Sequence, residues 1–148
     1  MIDEEHLHKI RFFDADVGYE NLWADEKEEG LYLIKSIPYF VYNISVDDVI
    51  RAQWNKEDEI LTFSEVVMHS EHTTIRVRLK SFTLDDDKAE VLLNKLEDFG
   101  AMVETLPPRL IAVDIPNPKH VDGIITFLTN DSIPWEWADK NAIGEGPI

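Results

Sequence analysis

The sequence predicts an α+β protein, with a small curved β-sheet or barrel at the N-terminus, a ferredoxin-like βαββαβ unit after it, and the two packed as one compact protein. Three observations predict this. Short aromatic and β-branched runs alternate with polar turns up to about residue 70, with no helical stripe among them. From Thr73 to Asp139 the hydrophobic period changes in the order strand, helix, strand, strand, helix, strand, which is the split βαβ arrangement. The composition supports a core, since 44% of the 148 residues are hydrophobic even though 30% are charged. The expected organisation is a β-rich subdomain at 1–70, a ferredoxin-like subdomain at 71–140 and a flexible tail at 141–148. Each half alone is marginal at about 70 residues, so a shared interface is expected.

In the first part KIRFF (Lys9 to Phe13), NLWA (Asn21 to Ala24) and LYLIKSI (Leu31 to Ile37) read as strands, with DEKEEG as the turn between the last two. VIRAQW (Val49 to Trp54) and ILTFSEVVM (Ile60 to Met68) follow, joined by the polar turn NKEDE. Five short strands without a helix suggest a strongly curved sheet or barrel. In the second part TTIRVRLKSF alternates, with Ile75, Val77 and Leu79 on one face and Arg76, Arg78 and Lys80 on the other. LDDDKAEVLLNKLEDFG then has a helical stripe of Ala89, Leu92, Leu93 and Leu96, with Thr83 or Asp85 as cap and Gly100 as stop. AMVETL and RLIAVDI are strands joined through Pro107 and Pro108, and Asn117-Pro118 opens a second helix with Val121, Ile124, Ile125 and Leu128 on its apolar face. IPWEWAD supplies the last strand.

Charge narrows the choice of partner. Thirty acids against 14 bases give a formal net charge of −16. Nucleic acid is therefore a poor ligand, because phosphate binding needs a basic footprint, whereas a basic protein is attracted over long range. With no cysteine, disulfides and thiolate metal sites are excluded. The start MIDEEHLHKI is acidic and lacks the apolar core of a signal peptide, and apolar runs are only strand-sized. A soluble, cytoplasmic protein is expected, with no membrane partner.

The stretch HSEHTTIRV (His69 to Val77) invites a catalytic or metal reading. On a strand, however, histidines three apart point to opposite faces, and no third ligand follows at a recognisable spacing. His72, Thr73 and Thr74 therefore read as satisfying backbone groups where the chain enters a strand. Ser70 and His72 make no triad, and nothing like a nucleophile elbow surrounds them. His6 and His8 would share a face beside Asp3, Glu4 and Glu5, but a terminal cluster of this kind binds metal only adventitiously.

Asp85, Asp86 and Asp87 sit where a helix start wants carboxylates. The row Arg76, Arg78 and Lys80 would lie near Asp114 and Glu136 in the ferredoxin-like strand order, so cross-strand ion pairs are expected, with an anion site as the alternative. Trp23, Trp54, Trp135 and Trp137 are core candidates, and the last two should face the helices. Glycine-rich phosphate loops are absent. What remains are the acidic clusters DEKEE (Asp25, Glu26, Glu28 and Glu29), KEDE (Glu57, Asp58 and Glu59) and LDDD (Asp85, Asp86 and Asp87), each a solvated surface taken singly.

Trp23, Gly30, Tyr32, Ile37, Pro38, Phe40, Asp48, Val49, Ser70, His72, Thr74, Ile75, Arg76 and Val77 form a pattern that resembles a bacterial family of unknown function, domain of unknown function 4265. The resemblance runs well from Leu22 to about Leu79 and loosely beyond, and Glu71 stands where the pattern has glycine. It implies a small bacterial protein, of a kind some of whose members accompany polymorphic toxins as immunity proteins. The motif residues Trp23, Pro38, Asp48, Ser70, His72, Thr74 and Arg76 then read as structural. The expected function is an acidic immunity protein that occludes a cognate, basic toxin domain, with the three acidic clusters as contacts, no catalysis, no cofactor and no metal. The alternatives are a small-molecule-binding regulatory module of ferredoxin-like type and, last, an enzyme using His72.

Overall fold

In the computed structural model, which describes residues 6–139, alternating burial along five strands closes the first part of the chain into a barrel. The strands are β1 (Leu7–Asp14), β2 (Gly18–Glu28), β3 (Leu31–Ile34), β4 (Val49–Asn55) and β5 (Ile60–Met68). They pair in chain order, and a parallel pairing of β1 with β5, Ile10 opposite Leu61 and Arg11 opposite Thr62, closes the ring. Closure removes the unpaired edges that a short five-stranded sheet would otherwise present. Ile10 and Phe12, Leu22 and Ala24, Tyr32 and Ile34, and Ile50 and Ala52 fill the interior, and Val41 and Ile44 join them from the segment between β3 and β4. The register shifts between Glu26 and Glu28 and at two places in the β4–β5 pair. Such bulges sharpen the bend that a small barrel demands.

Two sequence expectations change here. Asp25 to Glu28 are strand residues, not a turn. Asp25 and Glu26 pair with Leu33 and Tyr32, so only Glu29 and Gly30 remain to turn the chain. Ladder pairing overrides the turn-like composition. Trp23 and Trp54 are not core residues, being 41% and 58% exposed. Trp23 stands between the inward Leu22 and Ala24, so strand alternation turns it outward, beneath the Lys9 ammonium at 5.4 Å. Trp54 is the penultimate residue of β4, beside the polar turn.

The chain divides into two compact units between Ser70 and Glu71. The second unit holds β6 (Thr73–Arg78), α1 (Asp87–Asp98), β7 (Met102–Leu106), β8 (Leu110–Ile115), α2 (Val121–Asn130) and β9 (Trp135–Trp137). Its sheet is antiparallel in the order β7-β8-β6-β9, the ferredoxin-like order, with the first strand between the third and the fourth. Ile75, Val77 and Leu79, Ile111, Val113 and Ile115, the helix residues Leu92, Leu96, Ile124 and Leu128, and Trp135 form one core. Trp137 packs against that core and edge-on to Trp135, and the Trp135 indole N–H donates to the Thr129 hydroxyl at 3.2 Å.

The cap of α1 is Asp86, whose carboxylate accepts the Lys88 N–H at 2.8 Å, not Thr83 or Asp85. Those two residues bond to each other through hydroxyl and carboxylate one step earlier. Asn117 caps as expected, but Pro118–His120 is a turn of 3-10 helix that leads into α2. The tail 141–148 lies outside the described residues, as do Asp3, Glu4 and Glu5.

Gly100 ends α1 at φ +99°, and a Cβ there would run into the His120 imidazole. Gly100→Ala combines left-handed strain with that overlap, so it should destabilise the protein by about 2 kcal/mol. Urea unfolding followed by circular dichroism checks this, with the midpoint expected to fall at an unchanged slope.

Candidate functional site

Two buried carboxylates organise the motif residues. Asp48 is 1% exposed. One of its oxygens accepts the Ser45 N–H at 2.9 Å and lies 3.2 Å from His69 Nδ1, and the other accepts the Ser70 N–H at 2.8 Å. The Ser70 hydroxyl donates to the Val46 carbonyl at 2.7 Å. That proton is committed to the backbone, which suits a structural serine better than a nucleophile.

In the second unit His72, just before β6, places Nδ1 at 2.8 and 3.0 Å from the two oxygens of Asp114, a residue 2% exposed on β8. A carboxylate only accepts, so Nδ1 carries the proton and Nε2 is the other ring nitrogen. The partner of His72 is thus a side chain from a distant strand, where local backbone bonding was expected. An aspartate oriented on imidazole is one element of nucleophilic and general-base sites, but chemistry needs a third group to receive or give the proton. His69 and His72 answer to different carboxylates, and the described residues contain no group of three or more metal-ligating side chains.

Thr74, opposite Asp114 in the ladder, and Arg76, opposite Glu136, are both buried. The Arg76 guanidinium comes within 4.0 Å of the Glu136 carboxylate, the cross-strand pairing expected for it. Arg78 and Lys80 are exposed, and among the described residues neither makes an ion pair. Pro38 is buried and Trp23 exposed. Sequence reasoning missed Glu20, whose carboxylate accepts the backbone N–H groups of Tyr39, Phe40 and Val41 at 2.6, 3.1 and 2.9 Å. No signal near Glu20 points to partners about twenty residues away. Asp114 did carry one, as the single acid in the apolar run LIAVDI.

The acidic clusters fall into two groups. Asp25, Glu26, Glu28 and Glu29 leave β2 at the same end of the barrel as the β4–β5 turn with Glu57, Asp58 and Glu59. The Ala52 N–H bonds the Gly30 carbonyl at 3.2 Å, so the strand leading to the second turn runs past the first. All seven acids are exposed, and Trp54 stands on the same rim. Of these, Asp58 pairs with Arg11 at 2.9 Å. Asp85, Asp86 and Asp87 belong to the second unit, where Asp86 and Asp85 are engaged at the helix start.

Two measurements follow from this geometry. Asp114→Ala strands the His72 imidazole and should cost about 3 kcal/mol. In a double-mutant cycle with His72→Ala, a coupling of about 1 kcal/mol or more is expected from urea unfolding. Tyr32, a buried residue of the barrel whose hydroxyl is hydrogen-bonded to Glu26, gives a pH dependence. Burial, then the charge of Glu26 and a hydrogen bond with it, raise the Tyr32 hydroxyl above its ordinary 10.0. The folded state therefore holds this proton more tightly than the unfolded chain does. The stability tied to it is complete below pH 10 and is lost as pH rises through the folded-state value. Tyr32→Phe removes that loss, so its stability relative to the unchanged protein should improve progressively above pH 10 in alkaline melts.

No curated protein matches the chain. A crystal structure described as a hypothetical protein from Neisseria gonorrhoeae has a TM-score of 0.71 to it at 20% sequence identity, covering 90% of this chain and 94% of that one. That likeness shows a shared fold. The family model matches residues 20–137, from the Glu20 carboxylate to the last strand, and the chain belongs to the family described as Domain of unknown function (DUF4265).

Proposed function

We propose that the chain is an acidic immunity protein that binds a basic bacterial toxin domain and neutralises it by occlusion, with no catalysis of its own. The observation that carries this reading is one end of the barrel, where two hairpin ends carry seven exposed acids and the end of β4 carries the exposed Trp54. Rim charge raises the rate of encounter with a cationic partner. A large aromatic side chain amid it supplies the kind of anchor from which interfaces draw most of their affinity. The toxin as partner follows from the family resemblance, and a net charge of −16 agrees with a basic one. Asp85 and Asp87 in the second unit are exposed acids as well.

The test is copurification with the C-terminal domain encoded by the neighbouring gene, followed by association kinetics at several salt concentrations. Neutralising Asp25, Glu28, Glu57 and Glu59 together as amides should slow association about tenfold at low salt and leave it nearly unchanged at high salt. Trp54→Ala should instead speed dissociation by about tenfold or more. Lack of a submicromolar complex at physiological salt, together with no rescue of cells expressing that domain, would end this reading.

A further inference from the structure

We propose that a groove on the helical side of the ferredoxin-like unit binds a small amphipathic carboxylate, an anion carrying an apolar acyl or aryl body. This rests on different residues from the acidic rim and is independent of the toxin reading. The groove has a volume of about 370 Å³, near the lower end of the roughly 300–1,000 Å³ typical of small-molecule clefts. Its apolar lining is Phe82 ahead of α1, Val91 and Leu92 of α1, Phe127 of α2, and Ile133 just beyond α2. Val91 is 55% exposed, so the groove presents apolar surface to solvent.

The charges decide the class of ligand. Helix α1 carries two cations and four acids, and the groove takes up both cations, Lys88 and Lys95, and none of the acids Asp87, Glu90, Glu97 and Asp98. Residues 88, 91, 92 and 95 have the i, i+3, i+4, i+7 spacing of one helical face. The two lysines therefore stand about 10 Å apart along the axis, with the exposed valine between them. Among the described residues neither lysine has an ion-pair partner. Lys95 lies 5.4 Å over the Phe127 ring, so its ammonium is held against the apolar wall. A carboxylate at either lysine leaves its apolar body over Val91 and Phe127. Asp131 also lines the groove, which favours one carboxylate over two. In a protein of net charge −16, a helix face whose only charges are lysines meets an organic anion with attraction where most of the surface would repel it.

The experiment is an amide NMR titration of the full chain with octanoate and 3-phenylpropanoate, the acyl and aryl versions of the ligand, beside octan-1-ol and octylamine. At least one carboxylate should give saturable shifts centred on Val91, Leu92, Lys95, Phe127 and Ile133. The alcohol should bind at least tenfold more weakly and the amine should give no saturation there. Lys88→Gln with Lys95→Gln, both exposed positions, should weaken the carboxylate at least tenfold at an unchanged melting temperature. The proposal is overturned if neither carboxylate saturates, if the shifts map elsewhere, if alcohol or amine binds as well as the acid, or if the double variant binds unchanged.

Discussion

A carboxylate taken out of water must be met by hydrogen-bond donors, and the central segment of this chain is arranged around that requirement. Asp48 and Asp114 are each almost wholly buried. The chain answers Asp48 with the backbone N–H groups of Ser45 and Ser70 and the His69 ring, and Asp114 with the His72 ring. One acid lies in the first unit and the other in the second, and three of the residues that serve them, His69, Ser70 and His72, are only a few positions apart around the Ser70–Glu71 boundary. HSEHTT is therefore the point at which the chain is fastened to each unit in turn. Glu20 applies the same logic to the segment between β3 and β4, where three successive backbone N–H groups converge on one carboxylate. A turnless stretch of backbone is ordered there without a helix or a strand.

Much of the fold was legible because it depends on local period. All five N-terminal strands and the βαββαβ order announce themselves through alternation and helical stripes. The misreadings have separate causes. DEKE looked like a turn because four charged residues rarely form a strand, yet β3 supplies a ladder that composition cannot foresee. Trp23 was assigned to the core on size alone, whereas the parity set by Leu22 and Ala24 turns it outward. The cap of α1 was misplaced by one residue within a run of three aspartates, any of which could cap in isolation. The site was less legible than the fold. Nothing local to His72 names Asp114, 42 residues away, as its partner.

The distribution of charge separates the two units chemically. The barrel is closed, so what the first unit offers a partner is chiefly side chains, among them seven exposed acids at one mouth. The second unit keeps an open sheet and two helices, and α1 sorts its charges so that the lysines face an apolar groove. Opposite signs displayed by different units of one acidic chain suit two kinds of encounter. A rim of exposed carboxylates suits a broad cationic surface, where steering matters more than fit. A groove with a lysine held on an aromatic wall suits a small anion, where fit matters more than steering.

The same hydrogen-bond accounting weighs against chemistry at His72. Ser70, two residues before His72, gives its hydroxyl proton to the Val46 carbonyl and its N–H to Asp48, an arrangement that does not poise it as a nucleophile for the dyad. Asp48 with His69 is a second pairing of aspartate and histidine in the same stretch, and there the imidazole is 65% exposed at 3.2 Å, a looser arrangement than His72 with Asp114. Two such pairs, one tight and one loose, share a structural use, the holding of a buried carboxylate by an imidazole. In both, imidazole serves as the donor that a buried carboxylate requires, and the serine and threonine around it bind backbone or fill the sheet.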